Sequence, residues 1–569
     1  MTVSKWAATL ALVMQLGAAP AVAEGLVGSY LAGRQARYLG DFENAALYYT
    51  QALTRDPGNP SLMESVVLAN LSLGRVDRAL PVARSMEEQE LRSQLAHMVL
   101  LADEASNDRY DDILERIADE RGIGPLVDGL IKGWAHLGKG AMADAVVAFD
   151  EVAKDRGQRS FALYHKALAL ALVGDLESAE EILGQSGPGS AMQTRRGVMA
   201  RVQVLSQLDR NGDAIAVLDE VFGQGLDPEL SAMRDALEAG ETLPFDIVSS
   251  PRDGMSEVLH AVAEALRGEA RDDDTILFAR LSEYLRPDHV DAILLTAEIL
   301  ESLDQHELAA DSYRKVPREH SAFHAAELGR ADTLRRAGKP DAAIEVLTRL
   351  SETHGDLPAV HSALGDLMRT LDRYEEAAAA YDRALEGFAQ EDESQWFLYY
   401  ARGICHERIK DWPAAEADFR KALELNPGRP EVLNYLGYSL VERRENLDEA
   451  LAMIEEAVAE RPDSGYIVDS LGWALYRLGR YDEAVGHMER AIELMPVDPI
   501  VNDHLGDVYW AVGRFREAEF QWRRALSFIE YGDATEDADP DRIRRKIEVG
   551  LDQVLEEEGA KPLRVADGE

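Results

Sequence analysis

Around Asn434–Ala525 the sequence repeats itself on a fixed beat. It reads L-N-Y-L-G-Y-S-L, then D-S-L-G-W-A-L-Y-R-L-G-R-Y-D-E-A, then D-H-L-G-D-V-Y-W-A-V-G-R-F-R-E-A. Gly437, Gly472 and Gly506 lie 35 and 34 residues apart, and Ala450, Ala484 and Ala518 keep step behind them. A period of this size calls for one supersecondary unit stacked many times. Within 465–496, Val468, Leu471 and Leu475 fall on one helical face. Gly479 supplies the positive φ of a turn, Tyr481, Ala484, Met488 and Ala491 form a second stripe, and Pro496 ends it. Small residues at Gly472 and Ala484 let the two helices approach, and a larger side chain at either would overpack by about 1–3 kcal/mol. The expected fold is all-α, a superhelical solenoid of stacked antiparallel helix pairs in two arrays with an irregular joint.

This pattern resembles the tetratricopeptide repeat (TPR), with small residues, aromatics and a closing proline where that family places them. Earlier copies follow: Gly33, Gly40, Ala45, Tyr49, Ala52 and Pro57, then Gly74 and Ala79, a worn copy over 103–117, Gly140, Ala145 and Phe149, and Gly174 and Ala179. Arg195–Phe222 closes a first array. The run T-L-P-F-D-I-V-S-S-P-R-D-G then breaks the rhythm. The expected organisation is a signal peptide over 1–23, a degenerate N-terminal array over 24–226, a joint over 227–254, a C-terminal array over 255–530, and a capping helix with a disordered acidic tail over 531–569. The cap is read over 541–558 from Ile543, Ile547, Leu551 and Leu555, which recur every fourth residue. A polar insertion at 386–394 explains the longer step from Gly365 to Gly403.

Charge limits the partners. The 569 residues hold 104 Asp and Glu against 60 Lys and Arg, a formal net charge of −44. That argues against nucleic acid and against direct binding to anionic membranes, since both need cations to replace counterions. It suits first a long solvated solenoid, and a sharper reading is attraction to basic partners. The single cysteine, Cys405, allows no intramolecular disulfide and reads as a small buried hydrophobe. Lys5, the apolar run from Ala7 to Leu16 and Ala21-Val22-Ala23 form a secretory signal cut after Ala23, which implies a periplasmic protein. The apolar run is too short to span a bilayer.

No catalytic motif stands out, and no enzyme activity, cofactor or metal is expected. His320 and His324, with Glu319 and Glu327 nearby, have metal-ligand spacing but no third ligand in the sequence. What remains is the inner surface. In the TPR family the first helix of each pair lines a concave groove, and that resemblance assigns groove positions here to Phe397 and Tyr400, Asn434 and Tyr438, then Tyr466, Asp469, Trp473, Tyr476 and Arg477, then Asp503, Asp507 and Trp510. Trp, Tyr and Arg dominate binding hot spots, while Leu436, Leu471 and Leu505 fill the core. The expected ligand is a protein or peptide. Leu433–Ala518 and S-P-R-D-G-M-S-E-V-L-H-A-V-A-E-A-L are further similar to Gram-negative envelope TPR adaptors, among them the lipoprotein that binds a carboxyl-terminal processing protease. That resemblance implies a periplasmic adaptor presenting substrates to such a protease. The alternative is a component of outer-membrane protein assembly or polysaccharide export.

Overall fold

The computed structural model describes residues 25–185, 191, 194–223, 226–531, 538–560 and 563, so the segment read as a signal peptide lies outside the described residues. Among the described residues there are 31 α-helices, one short 3-10 helix and no strand. Successive helices pair and stack. In the pair Gly465–Arg477 and Tyr481–Leu494, Gly479 takes φ +78°. Its N–H donates to the Tyr476 carbonyl, and Arg480 N–H closes the turn on Leu475. The same turn in worn copies is made by Asp108, Asp209, Asp304, Asp372 and Lys410, with φ of +54° to +67°. Aspartate tolerates this region better than most residues, so a copy keeps its turn after losing its glycine. Gly472 faces Met488, where a Cβ would sit 2.4 Å from the sulfur, and Gly506 faces Trp522 in the same way. The close approach is therefore glycine against a large residue, with Ala484 buried beside it.

The chain divides into two compact units after Leu350. The irregular stretch expected to separate two arrays lies inside the first unit. It begins with a helix, Pro228–Glu238, capped by Asp227, and the segment after it is stitched down: Gln203 and Asp246 exchange two hydrogen bonds, Leu243 N–H donates to Ser206, and Ile247 and Val248 are buried. Proline and glycine there mark irregular backbone, not a division.

In the first unit the helices Pro251–Leu266 and Asp272–Leu285 pack against the first helices of the N-terminal repeats, Pro60–Ser72, Gln94–Ser106, Pro125–Gly138 and Arg159–Leu172. Gly254 abuts the Trp134 indole, and Arg280 Nε donates to the carbonyl of Ser72. Residues 253–263 are buried without a break. The inner face of these repeats is thus an interior.

In the second unit the pairs run from Pro358–Thr370 with Tyr374–Glu386 to Pro499–Ala511 with Phe515–Tyr531. The C-terminal segment is two helices, Pro540–Val549 and Leu551–Glu557, not the single one expected. Gly550 breaks it at φ +87°, directly against the Trp510 ring. Ile543 and Leu551 are fully buried, and Ile547 and Leu555 pack partly, so the apolar spacing survives the break. Cys405 is buried.

Candidate partner-binding groove

The first helices of the last three full repeats, Pro430–Arg443, Gly465–Arg477 and Pro499–Ala511, place their residues in register. Asn434, Asp469 and Asp503 occupy one position; Tyr438, Trp473 and Asp507 occupy the next. Leu436, Leu471 and Leu505 point into the core. A cavity of about 710 Å³ opens on this surface, and Asn434, Tyr438, Tyr466, Asp469, Trp473 and Asp503 line it.

Trp473 is the centre of the wall. Its ring stacks on His504 with centroids 3.9 Å apart and on Tyr476 at 4.8 Å, and its Nε1 donates to Glu442. Arg477 binds the same carboxylate at 2.7 Å. His504 Nδ1 lies 2.9 Å from Asp469. Burial alone would lower the His504 pKa, but the Asp469 charge and hydrogen bond outweigh it and raise the value. Tyr466 stands 49% exposed on the rim.

The other expected groove residues sit elsewhere. Tyr476 is 8% exposed and belongs to the core, where burial holds its phenol well above the usual range. Phe397 is exposed against Trp396, and Tyr400 packs among Trp396, Phe419 and Tyr435; neither reaches the cavity. Asp507 and Trp510 are engaged by the C-terminal helices. Lys546 Nζ binds Asp503 at 2.9 Å and Asp507 at 2.6 Å, Trp522 Nε1 donates to Asp507 at 2.9 Å, and Trp510 Nε1 donates to Asp552. Burial raises the Asp507 pKa, with Lys546 opposing the rise. Repeat periodicity could not reveal this, because the covering segment lies outside the repeat. His504, Glu442 and Arg542 also line the cavity and were not anticipated. For His504 the signal was present, since it follows Asp503 and so falls on the side turned toward the preceding repeat.

The first unit holds a second cavity, of about 380 Å³. Beside it Glu257 accepts from Tyr164 at 2.8 Å, Arg196 at 2.9 Å and His289 at 3.2 Å. Arg196 also pairs with Asp291. Burial pushes the Glu257 carboxyl up, yet Arg196 and His289 more than reverse this, and it lies well below the usual value. His289 is pushed down to about 4 by burial and then by Arg196. These groups satisfy one another and fasten the Pro251–Leu266 helix to its neighbours. Polar residues at Glu257 and His260 inside an apolar helical run were the sequence signal for it. His320 and His324 line the same cavity as His260, Glu264 and Glu298. Among the described residues no group of three or more His, Cys, Asp or Glu side chains is placed to hold a metal ion, and no helix is long and apolar enough to cross a membrane.

Stacked helix pairs with a walled inner face define a helical-repeat scaffold. Over residues 30–90, 328–393 and 436–499 the repeats match the sequence profile of the tetratricopeptide repeat, with a second TPR profile over 396–429. Proteins built this way commonly act as protein-interaction scaffolds and bind protein or peptide partners. The chain is similar to a TPR repeat-containing protein, PA4667, of Pseudomonas aeruginosa, 30% identical over 176 residues. That match spans 30% of this chain and only 28% of the relative. Among solved structures, the APC/C hetero-tetramer Cut9–Hcn1 covers 95% of this chain and 99% of its own at 14% identity and a TM-score of 0.37. YrrB, a TPR protein with an unusual peptide-binding site, covers 33% of this chain and 94% of its own at 19% identity and a TM-score of 0.28.

Proposed function

We propose that the protein is an exported, periplasmic scaffold that holds a segment of a partner protein on the inner face of its second unit and presents it to a second protein. A processing protease is the class of second protein to which the sequence resemblance points. One observation carries the groove assignment: Tyr438, Tyr466 and Trp473 wall an open cavity of about 710 Å³ in a unit whose core Leu436, Leu471 and Leu505 already complete. Amphipathic rings left partly bare in a concavity are the usual anchors for a peptide. Export rests on Lys5, the apolar run and Ala21-Val22-Ala23.

Tyr466 and Tyr438 are the residues to change, because Tyr476 belongs to the core. Wild-type protein immobilised against periplasmic extract is expected to retain a protease together with its substrates, and Tyr438→Ala/Tyr466→Ala to lose them with a stability loss of no more than about 1–2 kcal/mol. Equal retention by the variant removes the groove assignment. N-terminal sequencing of protein isolated from its native host is expected to begin at Glu24, and an intact Met1 in the cytoplasm would overturn export.

A further inference from the structure

The inner face of the second unit presents one hydrogen-bond acceptor per repeat at the same place: Asn434, Asp469 and Asp503. Two of the three are answered by cationic or ionisable donors of the chain itself. Asp503 receives Lys546 through both oxygens, and Asp469 receives the His504 imidazole. Asn434 is 8% exposed, lines the cavity, and has no hydrogen-bond partner for its Oδ1. A buried amide oxygen without a donor is uncommon and unfavourable, and a ligand that donates to it relieves the strain on the folded state.

Lys546 shows what this face accepts. Its side chain is fully buried, with the ammonium between two carboxylates and 5.8 Å from the Trp522 ring centroid. An ammonium held by ionised oxygens beside an aromatic face is a strong arrangement once water is excluded. Around Asn434 the same wall offers the aromatic part of that arrangement, Tyr438 one turn along its helix and Tyr466 on the rim, while Asp469, one repeat away, is already paired with His504. The cations that line the cavity are engaged or set apart. Arg443 lies over the Trp412 ring and binds Glu445, Arg542 binds Glu558, Arg408 lies 3.9 Å from Glu407, and Lys410 is exposed in the turn before Trp412.

We propose that this cavity binds a lysine- or arginine-bearing segment of a partner protein, its cationic head donating to Asn434 Oδ1 and its apolar stem lying along Tyr438 and Tyr466. This rests on the groove assignment above and adds the chemistry of the partner. The chain's own basic helix is the reference ligand.

The test titrates the full-length protein, by fluorescence anisotropy, with a labelled decapeptide of sequence P-D-R-I-R-R-K-I-E-V, copied from residues 540–549, and with the same peptide carrying Gln for every Arg and Lys. The basic peptide is expected to bind at least about tenfold more tightly. Asn434→Asp should tighten it further. Asn434→Leu should weaken it about tenfold while leaving the thermal midpoint unchanged or higher, because an unpaired oxygen has been removed; a purely structural asparagine would give a lower midpoint and unaltered binding. Equal affinity for the two peptides, or binding indifferent to Asn434, overturns the basic-partner inference. If the Tyr438/Tyr466-dependent capture persists alongside that result, the groove assignment stands; if it too is absent, both fall.

Discussion

The two units treat the same surface in opposite ways. In the first, the helices Pro251–Leu266 and Asp272–Leu285 lie on the inner helices of the N-terminal repeats; Arg196, Tyr164 and His289 fasten the former through Glu257, and Arg280 ties the latter to Ser72. In the second, among the described residues, the inner face stays open from Asn434 to Asp469, and its last step is covered by the helix that carries Lys546. The repeat rhythm is common to both, so it fixes the stack without fixing whether the groove is free. That is decided by segments that do not repeat.

Substitutions can break this contrast, beginning with the most damaging. Ala484→Glu places a charge at a fully buried helix contact and is expected to cost on the order of 5 kcal/mol, melting the second unit while the first keeps its transition in denaturant monitored by circular dichroism. A single shared transition at the parent midpoint would break the helix-pair account. Glu257→Gln leaves Arg196 without its main buried partner and should cost about 3–5 kcal/mol, this time in the first unit. If the loss appears in the second unit instead, the fastening role is misassigned. Lys546→Met strips the counterion from Asp503 and Asp507. The expected loss is smaller, about 2–3 kcal/mol, because Asp507, already raised by burial, can take up a proton. Release of the C-terminal helices should show as faster hydrogen exchange at Trp510 and its neighbours.

The gentlest test is pH, where the units respond with opposite sign. His289 is depressed to about 4 in the folded state from an ordinary 6.5, so the unfolded chain binds its proton first and this contribution is lost as pH falls from about 6.5 towards 4. His504 is raised, so its contribution is complete below about 6.5 and is lost as pH rises through the elevated value. Neither exceeds about 1.4 kcal/mol per pH unit. Thermal melts of His289→Gln and His504→Gln against the parent, across about pH 5–8, should diverge at the acid end for the first and the alkaline end for the second.

Much of the stack was legible in the sequence. Gly472 and Gly506, the core leucines and the Gly479 turn each act locally, and a period of 34 residues exposes them. The worn copies were harder to see because Asp108, Asp209, Asp304 and Asp372 make the turn in glycine's place. The site was half legible. Asn434, Tyr438, Tyr466, Asp469, Trp473 and Asp503 do meet at one cavity, since register is a property of the repeat. Tyr476, Asp507 and Trp510 were beyond reach because their environment is made by Tyr481 and by a helix pair some forty residues downstream. Similarly, T-L-P-F-D-I-V-S-S-P reads as a break, and only the packing of Gln203 and Ile247 shows it as a seam.

The bond from Arg280 to the carbonyl of Ser72 joins positions 208 residues apart. Such a closure ties the packing of the first unit's early repeats to the arrival of Asp272–Leu285, whereas the open repeats of the second touch mainly their neighbours. High contact order slows folding and makes it all-or-none, while local contact allows stepwise growth. Pulled from its two ends, the chain should therefore come apart in two styles: a staircase of small releases from the carboxyl-terminal half, and one large rupture from the amino-terminal half.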